Sequence, residues 1–144
     1  MKILVLQGPN LNLLGLASRP NGTRLTLDKL NRDLRRRARE LDVRLAIHQI
    51  QSQAKASRLL QRQRNLAVGV LLIPGIWAAT GHLLLETLRL VSLPLAVFHL
   101  EPEQGPWHYH DSSIFRESAQ LQEYGSMPDE LCSLLSDFVD RLGK

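Results

Sequence analysis

Short apolar segments alternate with helical segments along this chain, and that alternation limits the possible folds more than any other property. Residues 2–6 and 68–73 are almost unbroken apolar runs, which are typical of strands covered on both faces. Further strands are predicted at 43–50 and 95–100, with a weak fifth within 114–124. Strands that alternate with helices are joined by right-handed crossovers. The sequence therefore predicts an α/β fold in which a parallel sheet lies between two layers of helices.

Four helices are predicted between these strands and after them. Thr26 is suited to cap a helix that runs to about Leu41. The other three helices are predicted at 52–66, 80–90 and 128–142. The last of these begins with a capping residue, Ser126, and with Pro128 in its first turn, and it carries a regular apolar stripe.

The composition is that of one ordinary globular domain spanning 1–144, with 44% apolar and 22% charged residues. The formal net charge is +4, and much of the positive charge lies in one predicted helix, at Arg32, Arg35, Arg36, Arg37 and Arg39. A stripe of arginines is one way to follow nucleic-acid phosphates. An apolar face lies opposite these arginines, however, so we interpret them as the solvated face of an amphipathic helix and do not expect a nucleic-acid partner.

Other features of the sequence restrict the compartment and the cofactor. No apolar run is long enough to span a membrane, and residues 1–6 lead directly into the first strand without the layout of a signal peptide. We therefore expect a cytoplasmic protein without a membrane partner. The single cysteine, Cys132, excludes an internal disulfide and a cysteine-rich metal site, and we interpret it as a small core residue.

In a parallel sheet of this kind, ligands bind beyond the carboxyl ends of the strands, which here selects the loops 7–25, 73–82 and 99–113. The first loop begins Gln-Gly-Pro-Asn-Leu-Asn-Leu-Leu-Gly, at residues 7–15. This motif resembles that of type II 3-dehydroquinate dehydratases. Further points of resemblance are Arg19-Pro20, Thr26-Leu27, Gln51-Ser52, Pro74-Gly75 and His99-Leu100, so the likeness covers nearly the whole chain.

The resemblance implies a flavodoxin-like three-layer sandwich with a five-stranded parallel sheet of order 2-1-3-4-5. It also implies a homo-oligomer built from trimers, up to a dodecamer. We expect no cofactor and no metal. In that family a lid tyrosine removes a proton next to the ketone, and a histidine after the third strand protonates the leaving hydroxyl. Both groups must be present and reach the substrate for this general base and general acid catalysis.

The chain departs from the family pattern at the groups that carry this chemistry. Asn21 or Gly22 stands where the tyrosine belongs, and Ala79 stands in place of the histidine. The Ser-Asn pair that binds the substrate carboxylate is replaced by Glu101-Pro102. Proline has no N–H to donate, and glutamate brings a negative charge to an anion site. Supporting polar residues are also replaced, at Ile73, Leu85-Glu86 and Val97.

The remaining matches predict a ligand pocket rather than a catalytic centre. The resemblance implies the pocket residues Asn12, Arg19, Gly75, His99, Glu101 and Arg116. Asn12 could equally hold its loop through backbone hydrogen bonds, and His99 could be a structural histidine. If the pocket persists, its apolar replacements and its glutamate favour neutral or cationic ligands over anions.

An extra stretch at 104–111 supplies the residue types that are missing elsewhere. Its alternative catalytic candidates are Tyr109, His108 and His110, with His82 as a further candidate at the start of a helix. A metal site made of His108, His110 and Asp111 is a weaker interpretation, because His-x-His alone is not specific. An ordered loop whose aromatic side chains cover the pocket or a subunit contact is the plainest one. Trp77 and Trp107 are the apolar candidates for an exposed oligomer contact.

Two functions remain open on the sequence. The first is a 3-dehydroquinate dehydratase-like protein that is inactive on 3-dehydroquinate and binds a small molecule or acts through assembly. The alternative is a divergent 3-dehydroquinate dehydratase, a hydro-lyase, that uses replacement residues from the 104–111 loop.

Overall fold

The chain forms one five-stranded, all-parallel sheet of order β2-β1-β3-β4-β5. This is a computed structural model, and it describes residues 1–16, 25–101, 109–126 and 128–143. The strands are β1 (Lys2–Gln7), β2 (Arg44–Gln49), β3 (Gly69–Ile73), β4 (Leu95–Leu100) and β5 (Leu121–Gly125). The predicted α/β class and strand order are confirmed, and so are the first four predicted strands.

The helices cover both faces of this sheet and are α1 (Leu27–Glu40), α2 (Gln53–Gln63), α3 (Trp77–Thr80), α4 (His82–Val91) and α5 (Pro128–Leu142). A short 3-10 turn, Leu11–Leu13, follows β1. Thr26 caps α1 as predicted, because its side chain accepts a hydrogen bond from the Lys29 N–H. Ser52 caps α2 in the same way through the Lys55 N–H.

The predicted helix 80–90 corresponds to α4, and a short helix that the sequence did not predict precedes it. Residues 77–80 already form α3, and the chain breaks at Gly81 before α4 begins. The cause is close packing: a Cβ at Gly81 would lie 2.7 Å from the Trp77 carbonyl oxygen and 3.1 Å from the Phe115 ring. Glycine allows the backbone to turn in this narrow space, and the sequence pattern gave no indication of it.

Each face of the sheet has its own apolar core. The side chains of Ile3, Val5 and Phe98 face α1 and α5, where Leu34 and Phe138 complete one cluster. On the other face, a cluster under α2 and α4 is made by Leu4, Leu6, Leu60, Val70, Val97, Leu84 and Phe115. Alternate strand residues enter alternate cores, as the pleat of a strand requires. This is the three-layer arrangement predicted from the alternation of strands and helices.

Three further predictions concern surfaces. The arginine face of α1 is largely solvated as predicted, but Arg37 is half-buried and donates to Ser136 Oγ over 2.7 Å. Trp77 was expected to be exposed at a contact, and that was wrong: it is 3% exposed and packs in the core under α4. Among the described helices, none combines the length and the apolar character that crossing a membrane requires.

Candidate functional site

The loops after β1 and β3 meet at the carboxyl edge of the sheet, where the sequence predicted a ligand site. The Gly8 N–H donates to the carbonyl oxygen of Ile73 over 2.8 Å. A Cβ at Gly8 would lie 2.2 Å from the Pro74 carbonyl oxygen, so only glycine fits here. Gly75, with φ at +56°, adopts a left-handed turn that carries the chain into α3. The floor of the predicted ligand site is therefore formed by backbone groups.

Two glutamines fasten this floor to the end of β2, and a third joins the start of α2 to the start of α4. Gln49 Nε2 donates to the Gly8 carbonyl over 3.0 Å, and Gln51 Oε1 accepts from the Asn10 N–H over 2.7 Å. Gln53 Oε1 accepts from the Leu84 N–H over 2.9 Å, at the start of α4. Sequence reasoning missed these roles. The available signal was the spacing of the three residues, which places an amide at every second position where β2 leaves the sheet.

Asn12, a predicted pocket residue, lies on the 3-10 turn after β1, and its side chain is exposed. The chain that follows it, residues 17–24, lies outside the described residues. Arg19, Asn21 and Gly22 belong to that range. The predicted roles of Asn12 and Arg19 in a pocket therefore stay predictions.

A second group of polar side chains lies at the ends of β4 and β5, and we call it the edge cluster: His99, Glu101, His110 and Tyr124. His99 and Tyr124 are partners in the strand register. In neighbouring parallel strands such partners project to the same face of the sheet. Glu101 follows β4 two residues after His99, and its N–H donates to the Gly125 carbonyl over 2.8 Å, so the ladder continues past the strand end.

Glu101 and His110 are the tightest pair of the edge cluster. His110 Nδ1 contacts Glu101 Oε1, and the His110 backbone N–H donates to the same oxygen over 3.2 Å. The His110 ring is also stacked on Tyr124, with centroids 4.1 Å apart and an interplanar angle of 13°. His110 Nε2 lies 3.1 Å from the carboxylate of Asp111, which is 90% exposed. Both ring nitrogens of His110 therefore lie next to a carboxylate, the largely buried one of Glu101 and the exposed one of Asp111.

His99 is the buried member of the edge cluster. Burial lowers the pKa of its imidazole below the ordinary value of 6.5, against the opposing effects of a hydrogen bond with Gln122 and the charge of Glu101. His99 Nε2 is buried and has no hydrogen-bond partner among the described residues. A neutral imidazole with one unused nitrogen can donate to or accept from a ligand, depending on its tautomer.

The other candidate residues are more scattered. Arg116 is exposed and donates from Nη1 to the Asp111 carbonyl, so it stabilises the turn that carries His110. Tyr109 lies just before that turn, and its carbonyl accepts from the Ser112 N–H over 3.2 Å. His82 is exposed at the first residue of α4. His108 falls in 102–108, outside the described residues.

A metal centre finds no support in this geometry. Within the described ranges, no three His, Cys, Asp or Glu side chains converge in a way that could hold a metal ion. The weaker interpretation based on His108, His110 and Asp111 cannot be assembled from described residues, because His108 is not among them.

Comparison with known proteins assigns this arrangement to a family. The family model described as dehydroquinase class II matches residues 1–130. The chain belongs to the class II dehydroquinase family. A 3-dehydroquinate dehydratase of Geotalea daltonii is 33% identical over 121 residues, which cover 84% of this chain and 80% of the relative. The 3-dehydroquinate dehydratase 1 of Pseudomonas putida is 33% identical over 111 residues, covering 75% and 74% of the two chains.

Solved structures show the same fold at lower identity. A type II dehydroquinase from Butyrivibrio crossotus superposes with a TM-score of 0.82 at 19% identity, covering 100% of this chain and 98% of the other. A 3-dehydroquinate dehydratase-like protein from Bifidobacterium longum gives a TM-score of 0.67 at 16% identity, covering 100% and 99%. The predicted membership of the dehydroquinase family is thus confirmed.

Within this dehydroquinase fold, the positions that resemblance assigned to polar groups hold apolar ones. Ile73 is fully buried in the core under α1 and α5. Leu85 and Val97 are buried in the opposite core, under α2 and α4. Their side chains therefore fill the two cores, which corrects the idea that they form apolar walls of a pocket. Ala79 lies exposed on α3, and its methyl group has no proton to exchange.

The extra loop of this dehydroquinase homologue returns to the site through residues 109–119. The Ile114 N–H donates to the Ala78 carbonyl over 2.9 Å, and Phe115 is fully buried in the core next to Gly81. The end of the loop therefore packs against α3, directly beside Ala79. The hydrogen bond between Ile114 and Ala78 therefore connects the segment that carries His110 of the edge cluster to α3.

Proposed function

We propose that this dehydroquinase-family protein binds a small molecule at the carboxyl edge of its sheet and does not dehydrate 3-dehydroquinate. The observation that carries the proposal is Ala79, an exposed methyl group on α3 at the position that resemblance gives to the family's acid histidine. The base position falls on Asn21 or Gly22, whose side chains do not titrate near neutral pH. Loss of a general acid or base typically costs about two to four orders of magnitude each.

The anion end of the site supports the same conclusion. Glu101 stands where the resemblance places donors to the substrate carboxylate, and its side chain is only 12% exposed. A ligand carboxylate brought next to it would meet a like charge in a partly dry environment, where repulsion is weakly screened. A neutral or cationic ligand avoids this repulsion and can use the free nitrogen of His99 as well.

The test is a direct assay of purified protein with 3-dehydroquinate, which follows the absorbance of the conjugated product. The Geotalea daltonii relative, assayed under the same conditions, is the positive control. We expect no turnover above the rate without protein. Titration calorimetry with 3-dehydroquinate should give no saturable heat. Robust turnover, or tight binding of a carboxylate inhibitor, would overturn the proposal.

A second candidate is a divergent 3-dehydroquinate dehydratase, and the names of the curated relatives favour it. One geometric observation also favours it: Glu101 holds one nitrogen of His110, and the other lies 3.1 Å from the exposed carboxylate of Asp111. A carboxylate that orients a histidine is a common arrangement for a general base or acid. If turnover is found, His110→Ala should abolish it and Tyr109→Phe should reduce it. If His82 is the catalytic residue instead, His82→Gln should remove activity, and His110→Ala and Tyr109→Phe should leave it unchanged.

We also propose a homo-oligomer built from trimers, as the resemblance implies. A physical reason is the outer face of α4, where Leu83 and Leu90 lie seven residues apart and are both exposed. Residues with this spacing share one face of a helix, so the two leucines form an apolar strip suited to a subunit contact. Light scattering should give a multiple of three protomers. A monomer at high protein concentration would contradict the proposal.

A further inference from the structure

A groove on the β2 side of the molecule, away from the edge cluster, is used by neither candidate function. It lies between the end of β2 and one face of α2, and its volume is about 560 Å³. Its lining includes the apolar side chains of Ile50 and Leu59 and the amide of Gln49. Three cations, Lys55, Arg58 and Arg62, complete it.

The charge around this groove has one sign. Residues 43–85 contain no Asp or Glu, but they include the three groove cations and also Arg44 and Arg64. Lys55, Arg58 and Arg62 follow the helical spacing of three and four residues, so they lie on one face of α2. Within the described ranges none of the three forms a salt bridge, whereas Arg36 and Arg37 on α1 do. The groove therefore presents positive charge that the described chain leaves uncompensated.

The groove also adjoins an open strand edge. In the described residues β2 pairs with β1 alone. The Arg44 and Ile50 N–H groups donate to the carbonyls of Met1 and Gln7, so even-numbered residues of β2 face β1. In a parallel ladder the intervening residues direct their backbone groups the other way. The N–H and C=O groups of Leu45, Ile47 and Gln49 therefore point outward, where an incoming strand can pair with them.

We propose that this groove binds an extended acidic segment of a partner protein, which adds a strand to the free edge of β2. The strand edge supplies backbone hydrogen bonds, Ile50 and Leu59 receive one apolar side chain, and the α2 cations pair with carboxylates. Charge of one sign also speeds the encounter with an acidic partner. This inference is independent of the function proposed for the carboxyl edge.

Two other occupants fit these observations less well. Single-stranded nucleic acid is usually held by aromatic side chains on which bases stack, and the lining of this groove has none. A second copy of the chain would need an extended acidic segment to offer. Among the five described strands, only β5 contains a carboxylate, that of Glu123.

The test uses fluorescence anisotropy of the whole protein with a labelled octapeptide in which Glu and Val alternate. A peptide with Gln in place of Glu is the ligand control. The variant Lys55→Gln/Arg58→Gln/Arg62→Gln removes the groove cations, and Arg32→Gln/Arg35→Gln/Arg39→Gln on α1 removes the same charge elsewhere. Exposed ion pairs contribute roughly half a kcal/mol each, so loss of three should weaken binding about tenfold. The α1 variant should bind within about twofold of wild type, because exposed charges far from the groove are largely screened by salt.

Strand addition also requires backbone hydrogen bonds between the peptide and β2. An acidic peptide methylated on alternate backbone nitrogens keeps its charge but loses the N–H groups that would pair with β2, so it should bind at least about tenfold more weakly. Equal weakening by both triple variants would mean general charge attraction and would overturn the proposal. Tighter binding of a labelled single-stranded oligonucleotide would overturn it in favour of nucleic acid. A fall in oligomer size for the groove variant alone would overturn it in favour of a second copy.

Discussion

The carboxyl edge of the sheet has two halves that are built in different ways. At the ends of β1 and β3, the contacts are between backbone groups, as where Gly8 packs against Pro74 at a distance that no side chain would allow. At the ends of β4 and β5, the contacts are between ionisable or aromatic side chains: Glu101, His110 and Tyr124. The first half contains the motif that resembles the dehydroquinase family, and the second half is where we propose that the chain departs from it.

This difference separates what specifies the fold from what specifies the chemistry. Tight backbone packing tolerates almost no change of residue. The sequence of the first half therefore stays recognisable whether or not the protein has enzymatic activity. Side-chain chemistry depends on a few atoms, so a single substitution at such a position, as we propose for Ala79, can remove it without disturbing the fold. Family membership is therefore a strong statement about the architecture of this chain and a weaker one about its reaction.

The largest expected effect tests the backbone half. Gly8→Ala should destabilise the protein by about 3 kcal/mol or prevent folding, because the new methyl group would overlap the Pro74 carbonyl. Urea unfolding followed by circular dichroism measures the change. Gly143→Ala is the matched control, since a Cβ there meets nothing closer than 3.5 Å, and it should change stability by less than about 0.5 kcal/mol. A Gly8→Ala protein as stable as wild type would show that backbone packing does not constrain this half of the edge.

An intermediate effect is expected in the side-chain half. His110→Ala removes the ring contact with Glu101 and the stack on Tyr124, and it should cost about 1–2 kcal/mol. Asp111→Asn, which changes the exposed neighbour of the same ring, should be nearly neutral. Urea midpoints of the two variants give the comparison. Equal effects would mean that the ring is held by its solvent-exposed neighbour instead of by Glu101.

The smallest effect concerns pH and the buried His99. Because burial lowers the pKa of His99 below 6.5, this residue takes up a proton in the unfolded chain at a higher pH than in the folded chain. The folded state therefore loses stability as pH falls from 6.5 towards that lower value, by at most about 1.4 kcal/mol per pH unit. The free energy of unfolding should fall between pH 7.5 and 5.5. His99→Gln should flatten this dependence, and His82→Gln should leave it unchanged.

Much of the fold could be predicted from the sequence, because strand and helix periodicity are local properties. The first four strands, the α1 cap and the buried face of α1 followed from that pattern alone. The fifth strand was placed within 114–124, but it runs to Gly125, since its mostly exposed residues give little periodic signal. The break at Gly81 depends on Phe115, which is distant in sequence, and local patterns cannot show it.

The site was less predictable, because its geometry depends on side-chain contacts between loops. Resemblance selected His99, Glu101 and Arg116, and the structure brings Glu101 together with His110. The resemblance did not indicate that Tyr124, on the edge strand, stacks on His110. The bridging glutamines Gln49, Gln51 and Gln53 were also missed, since an amide beside a strand end has many possible partners.

The central position of β1 has a consequence for the order in which the sheet assembles. β1 comes first in the chain, yet Ile3 pairs with Leu45 on one side and with Gly69 on the other. Such pairings require closure of long stretches of chain, which is slow and sets the barrier to folding. We infer that the contacts at the far edge, between β4 and β5, form after that barrier. We therefore expect His110→Ala to leave the refolding rate unchanged and to accelerate unfolding, which stopped-flow kinetics can resolve.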